Sequence, residues 1–303
     1  MMNSKSVFLI SVTVFFTFLF GVLMSDFKPV INFVCLALIL FVGIPHGALD
    51  NFLVQKNTKL SKVRFHLLYS GSVLAYILLW FISPSLSLLI FLLISAYHFG
   101  ESQLATLRSP LLLSKIVHFF WGLSIILTLL YLNYGEFYQS INKYQVFEPI
   151  TSVLSKSMFF VITCVSNIIL LFLFLIVTQF KLFTLQKLSY EILCLILLYS
   201  SFYILDLTVG FTIYFVFWHS LVVMKLILNY FRQAKFTIGM LQFIKLLLPN
   251  TLISILVGFI LFSSINLLNF EIDFTSVVFV LLSALTLPHV FIMEKFNEKV
   301  SKA

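Results

Sequence analysis

Six histidines occur in the 303 residues, and four of them stand in short polar motifs within apolar runs: His46 in Gly43-Ile44-Pro45-His46-Gly47-Ala48-Leu49-Asp50, His98 in Tyr97-His98-Phe99-Gly100-Glu101-Ser102, His219 in Trp218-His219-Ser220, and His289 in Leu287-Pro288-His289. Neutral imidazole suits Fe, Zn, Cu and Ni. A carboxylate one helical turn away can accept the second imidazole N–H, fix the tautomer and raise the basicity of the ligand. Asp50 follows His46 by four residues and Glu101 follows His98 by three, so on an α-helix each carboxylate shares a face with its histidine. In this pattern the histidines are candidate metal ligands, and Asp50 and Glu101 are the groups that orient them or help hold a cation. The competing reading is that each histidine is a satisfied core or interfacial residue, and that the stretch 43–50 only caps a helix end among lipid headgroups.

The cost of such residues favours a role for them. An ionisable group at membrane depth costs about 2.5–3.5 kcal/mol on insertion scales and generally faces the bundle interior. Pro45 and Pro288 immediately precede His46 and His289. A proline inside a span frees a carbonyl and kinks the helix, which can aim the next side chain inward. His66, beside Arg64, reads as interfacial, and His118, near Trp121, is a candidate pocket residue. Glu191 and Asp206 lie in one apolar run without an obvious basic partner. Cys35, Cys164 and Cys194 fall in apolar runs with no CxxC spacing, so they signal neither a disulfide framework nor a zinc cluster.

The elements that position these residues follow from composition. Hydrophobic residues make up 61% of the chain and charged residues 10%, against about 25% charged in soluble domains, and mean hydropathy is +1.11. The expectation is an all-α, polytopic integral membrane helical bundle forming a single transmembrane domain over 1–303. A spanning helix needs about 20 apolar residues. That ruler marks about ten, near 7–24, 30–47, 65–83, 86–100, 111–132, 157–180, 188–207, 210–228, 246–267 and 274–293. The first follows Lys5 and has no small-residue cleavage site after it, so it reads as a retained helix and not a signal peptide.

Charge sets the orientation. The net charge is +8, but the basic residues are scattered through loops as topogenic signals, which argues against a nucleic-acid partner. With spans alternating, all but Lys28, Lys143 and Lys156 of the 19 basic residues fall on one side. Both termini are therefore expected in the cytoplasm, with the chain in the cell inner (plasma) membrane. The segment 133–156 and the loop holding Glu271 and Asp273 are expected outside. His46, His98, His219 and His289 then all lie on even-numbered spans running in one direction, at broadly similar depth, where four parallel helices can bring them to one point. No pair of Gly/Pro-broken helices in matching positions of two halves suggests an inverted-repeat transporter. The 37 phenylalanines suit a long apolar or polyene ligand as well as lipid.

The four motifs, in this order on a polytopic chain, resemble the Brp/Blh family of bacterial and archaeal membrane β-carotene 15,15'-dioxygenases, from about 43 to 294. The resemblance implies a helical membrane fold unrelated to the propeller-type carotenoid oxygenases. It also implies a non-haem Fe(2+) centre held by histidines, with a carotenoid and O2 as co-substrates. His46, His98 and His219 match family histidines that hold iron. Many members carry an Arg-His pair where this chain has Val222 and Val223. Either His289 supplies a fourth ligand, or three histidines suffice, or the chain is a diverged paralogue with another substrate or none. Tyr97, Phe99, Tyr214 and Trp218 are candidate pocket walls. The rival readings are a diiron desaturase or hydroxylase, disfavoured because HxxH and HxxxH pairs are absent, and a non-catalytic transporter or chaperone using the same polar core. Oligomeric state has no signature in the sequence.

Overall fold

The computed structural model describes residues 4–57, 61–105, 107, 111–144, 147, 154–233, 239–267 and 274–302. Lys59, Arg108 and Lys235 among the topogenic cations, Glu271 and Asp273, and residues 145–146 and 148–153 of the expected outer segment lie outside the described residues. Among the described residues every regular element is helical. In lipid, a helix satisfies all its backbone polar groups within one segment.

The α-helices are α1 (Ser4–Leu38), α2 (Asp50–Asn57), α3 (Lys62–Ile82), α4 (Pro84–Gln103), α5 (Leu111–Leu132), α6 (Tyr134–Asn142), α7 (Lys156–Gln179), α8 (Leu185–Ile204), α9 (Leu207–Thr212), α10 (Leu221–Gln233), α11 (Met240–Leu267) and α12 (Phe274–Lys302). A π-helical segment, Ile39–Gly43, and a 3-10 segment, Ile44–Leu49, join α1 to α2; a second π-helical segment, Ile213–Ser220, joins α9 to α10. Local chemistry starts several of them. The side chains of Ser61, Ser155, Thr184 and Asp206 accept from the backbone N–H three residues on, at the heads of α3, α7, α8 and α9, which satisfies one of the donors a helix start leaves over. Ser83 leaves the helical region, with φ −148° and ψ 81°, because a residue before proline avoids it. Pro84 then opens α4, where its missing N–H costs nothing.

Among the described residues, nine helical runs are long and apolar enough to cross a membrane. The first, Ser6–Gln55, has 50 residues, more than twice the about 20 that span a hydrocarbon core. Phe27 interrupts it with non-helical dihedrals, φ −124° and ψ 21°, two residues before Pro29. The two spans expected at 7–24 and 30–47 are therefore one helical run with a break at Phe27. The other eight runs coincide with the other eight expected spans. Large apolar side chains stand exposed on these runs, Phe18 and Phe33 on the first and Ile82 on α3, as suits lipid contact and not water.

The helices form two compact units, one of residues 1–35 and 84–218, the other of 36–83 and 219–303. In the first, α5 packs on α4, α7 and α8. Gly100 of α4 faces the backbone carbonyl of His118 on α5, and Gly122 of α5 faces that of Ala96 on α4, so that a Cβ at either glycine would collide with backbone. This is the small-residue approach by which membrane helices gain van der Waals contact without a hydrophobic driving force. In the second unit α12 packs on α3 and α11, and Asn250 of α11 donates a 2.7 Å hydrogen bond to the carbonyl of Ala48 in the 3-10 segment.

Candidate metal centre

The site in the second unit is built where the chain departs from α-helix. π-helical segments recur at functional sites, and 3-10 stretches mark strain or hinges; here a π-helical and a 3-10 segment succeed one another. Pro45 stands in the first turn of the 3-10 segment, and the N–H of Asp50 closes it on the carbonyl of Gly47. This changes where side chains point. A 3-10 helix has about 3.0 residues per turn, so residue i+4 lies about 120° around the axis from residue i, against about 40° in an α-helix. His46 and Asp50 therefore do not share a face.

Their partners differ accordingly. Nδ1 of His46 faces the carbonyl of Gly43 at very short range and lies 3.3 Å from Oγ of Ser220. Asp50, 2% exposed, accepts instead from Nδ1 of His289 at 2.8 Å through Oδ1, and from the hydroxyl of Tyr69 at 3.1 Å through Oδ2. The imidazole that Asp50 meets here is His289. His219 is the penultimate residue of the second π-helical segment and His289 lies in α12 directly after Pro288. The ring centroids of His219 and His289 are 4.9 and 4.7 Å from that of His46, each edge-on to it. All three rings are buried.

A backbone carbonyl accepts only, so His46 carries its proton on Nδ1, and the Asp50 carboxylate holds the proton of His289 on Nδ1 as well. Both rings then offer a lone pair at Nε2. Close, buried imidazoles suit a transition metal, and a carboxylate behind one of them is the kind of outer partner such sites use. A Cβ at Gly47 would sit in van der Waals contact with the His289 ring and the Asp50 carboxylate, so the backbone of the 3-10 segment lies against the pair. One helical turn beyond the histidines is an apolar layer. Val223, Met293 and Leu49 follow His219, His289 and His46 along their elements and are 1%, 0% and 0% exposed, packed with Leu53, Ile227 and Phe296.

The first unit holds the other candidates. His98 is buried on α4, with Nδ1 4.0 Å from Oε2 of Glu101, longer than a direct hydrogen bond. Phe99 lies edge-on to Tyr214 at 5.0 Å, Tyr214 lies 6.2 Å from Trp121, and Trp218 donates to Thr13 at 2.7 Å, so these aromatic residues pack on one another. His118 is buried, 6.3 Å from the Tyr97 ring, and His66 is exposed beside Phe65. Glu191 and Asp206 do have basic partners. Lys187, one turn earlier on α8, reaches Glu191 at 2.6 Å, and Gln103 donates to it at 3.0 Å; Lys28 reaches Asp206 at 3.3 Å and Glu136 at 3.0 Å.

The family model described as beta-carotene 15,15'-dioxygenase matches residues 37–297. The chain belongs to that family. A curated beta-carotene 15,15'-dioxygenase from uncultured marine bacterium 66A03 is 38% identical over 78 residues, 24% of this chain and 28% of the relative. The aligned stretch thus spans about 28% of that relative's length. No solved structure matches. In this member of the beta-carotene 15,15'-dioxygenase family, His46, His98, His219, His289, Asp50 and Glu101 fall within the matched residues. Tyr69 does too, although no sequence pattern marks it: it lies 19 positions from Asp50 in an unremarkable span. Ser220 stands within the Trp218-His219-Ser220 motif, and its contact with His46 is legible only in three dimensions.

Proposed function

We propose that the chain is an O2-dependent dioxygenase that cleaves β-carotene, or a related carotenoid, at its central double bond to give retinal, using non-haem iron(II). The observation that carries the reading is the cluster of His46, His219 and His289 backed by Asp50, inside a chain of this family. In it His46, His98, His219 and His289 hold the iron, Asp50 orients His289, and Glu101 serves His98.

Bound iron(II) supplies the redox chemistry by which O2 reacts with a closed-shell alkene. The reaction is balanced without another reductant: one O2 gives one oxygen atom to each carbon of the broken double bond, and two aldehydes result. The protein's own groups need do little acid–base work. Asp50 and the Gly43 carbonyl hold the ring protons on Nδ1, the layer of Leu49, Val223 and Met293 excludes water from one side, and the apolar surroundings hold the polyene with its central bond at the reacting position. A site within the bilayer lets an insoluble substrate enter from lipid. The same reading takes 1–303 as one transmembrane domain, multi-pass in the plasma membrane, with both termini cytoplasmic.

Expression in a β-carotene-producing bacterial host tests this. Loss of colour with retinal in the extract is expected, and no retinal from a His46→Ala variant expressed to the same level. Unchanged pigment despite good membrane expression refutes the activity. Iron in the purified protein that persists in the His46→Ala and His98→Ala variants refutes the ligand assignment.

A further inference from the structure

Both oxygens of the Asp50 carboxylate are engaged, and by different helices. Oδ1 accepts from His289 of α12 at 2.8 Å and Oδ2 accepts from the Tyr69 hydroxyl of α3 at 3.1 Å. One hydrogen bond leaves a carboxylate free to turn, because the terminal torsion of an aspartate is broad and roughly two-fold. A second donor on the other oxygen fixes its plane. We propose that Tyr69 is a positioning residue of the metal centre: by holding Oδ2 it sets the Asp50 carboxylate so that the proton of His289 stays on Nδ1 and Nε2 faces the metal. This rests on the reading of His289 as a ligand given above.

The geometry favours this over simple satisfaction of a buried acid. Asp50 is 2% exposed and makes its hydrogen bond to His289 independently of Tyr69, while α3 is already held against α12 elsewhere, by Trp80 donating to Ser283 at 2.9 Å. The Tyr69 ring packs on Phe65 at 5.4 Å, a contact that phenylalanine would keep. Tyr69→Phe therefore removes only the hydroxyl, and the change it causes is one of orientation. Hydrogen bonds of this outer kind are worth about 10–100-fold in metal affinity.

The test uses the full chain in detergent, with Co2+ as the probe, comparing wild type, Tyr69→Phe, Asp50→Asn and the double variant. Affinity and the Co2+ ligand-field absorption are read, together with thermal unfolding of the metal-free proteins. The expected result is an affinity about tenfold weaker in Tyr69→Phe, toward the low end of that range. Its absorption bands shift, which loss of the buried hydrogen bond alone would not cause, its metal-free unfolding temperature falls modestly for that lost bond, and the hydroxyl's loss adds nothing to the weakening in Asp50→Asn, because the two act through one linkage. Wild-type affinity and spectrum in Tyr69→Phe overturn the inference while leaving the metal centre standing. Additive weakening in the double variant also overturns it, since Tyr69 would then act by another route. A wild-type protein that binds no Co2+ refutes the metal centre itself, and the inference with it.

Discussion

Asp50 receives the Nδ1 proton of His289 at 2.8 Å across 239 positions of sequence. That contact ties the first residue of α2 to the middle of α12 and places a negative charge one bond path from the proposed metal. Asp50→Asn keeps the shape and removes the charge that makes the imidazole a stronger donor. Iron retained after purification and retinal formation are both expected to fall about 10–100-fold, with Asp50→Glu intermediate because its carboxylate is displaced by one methylene. Equal iron affinity in wild type and Asp50→Asn, measured by competition with a chelator, would contradict the role given to this pair.

The crossing of α4 and α5 makes a prediction about glycine. At Gly100 and Gly122 a Cβ meets the carbonyls of His118 and Ala96, which are helix backbone and cannot turn aside, whereas at Gly71 of α3 and Gly135 of α6 nothing stands within 4 Å. Gly100→Ala and Gly122→Ala are expected to cost about 1–3 kcal/mol by forcing the helices apart. Gly71→Ala should be neutral or stabilising by up to about 1 kcal/mol, since alanine is the better helix former. Thermal unfolding in detergent ranks the three. Gly100→Ala should also lower activity, because α4 carries His98.

How much of this is legible in one dimension depends on the range of the interaction. Apolar length locates eight of the runs, while the expected spans 7–24 and 30–47 merge into one run of 50 residues, and the polar motifs within apolar runs single out His46, His98, His219 and His289. The partner of Asp50 is not legible, because the i, i+4 rule assumes α-helix and the chain from Ile44 to Leu49 is 3-10; nothing in the residues announces that beyond Pro45. Tyr69 is hidden for a different reason: a lone tyrosine in a span has no periodic or charge signal, and only the packing of α3 brings it to Asp50. Lys187 and Glu191 are the opposite case, an ordinary i, i+4 pair near the start of α8.

That pair supports a stability prediction. Glu191 is fully buried while the Lys187 side chain keeps 29% exposure. Removing the cation leaves a buried carboxylate supported by the amide of Gln103. Lys187→Met is expected to cost about 1–3 kcal/mol, below the roughly 3–5 kcal/mol of a fully buried pair. Adding Glu191→Gln to it should restore most of the loss, a non-additivity that a double-mutant cycle in thermal unfolding measures directly. Fully additive losses would mean that the two side chains are energetically independent.

Val223, where the family resemblance implies a histidine, bears the last prediction. Val223 follows His219 by one turn, but it lies in the apolar layer with Leu49, Met293 and Phe296 and is 1% exposed. A histidine there would enter a closed hydrocarbon environment, where an unsatisfied imidazole N–H costs about 1–3 kcal/mol. It would also have to displace packed side chains. His289, by contrast, already stands 4.7 Å from His46 with its tautomer set by Asp50. If His289 is the ligand that serves in place of the missing histidine, Val223→His alone lowers the unfolding temperature and raises neither iron stoichiometry nor retinal yield, while His289→Leu abolishes tight iron binding. A Val223→His protein that binds iron more tightly than wild type, or a His289→Leu protein that binds it equally well, would show instead that the apolar layer accepts a ligand and that His289 is dispensable.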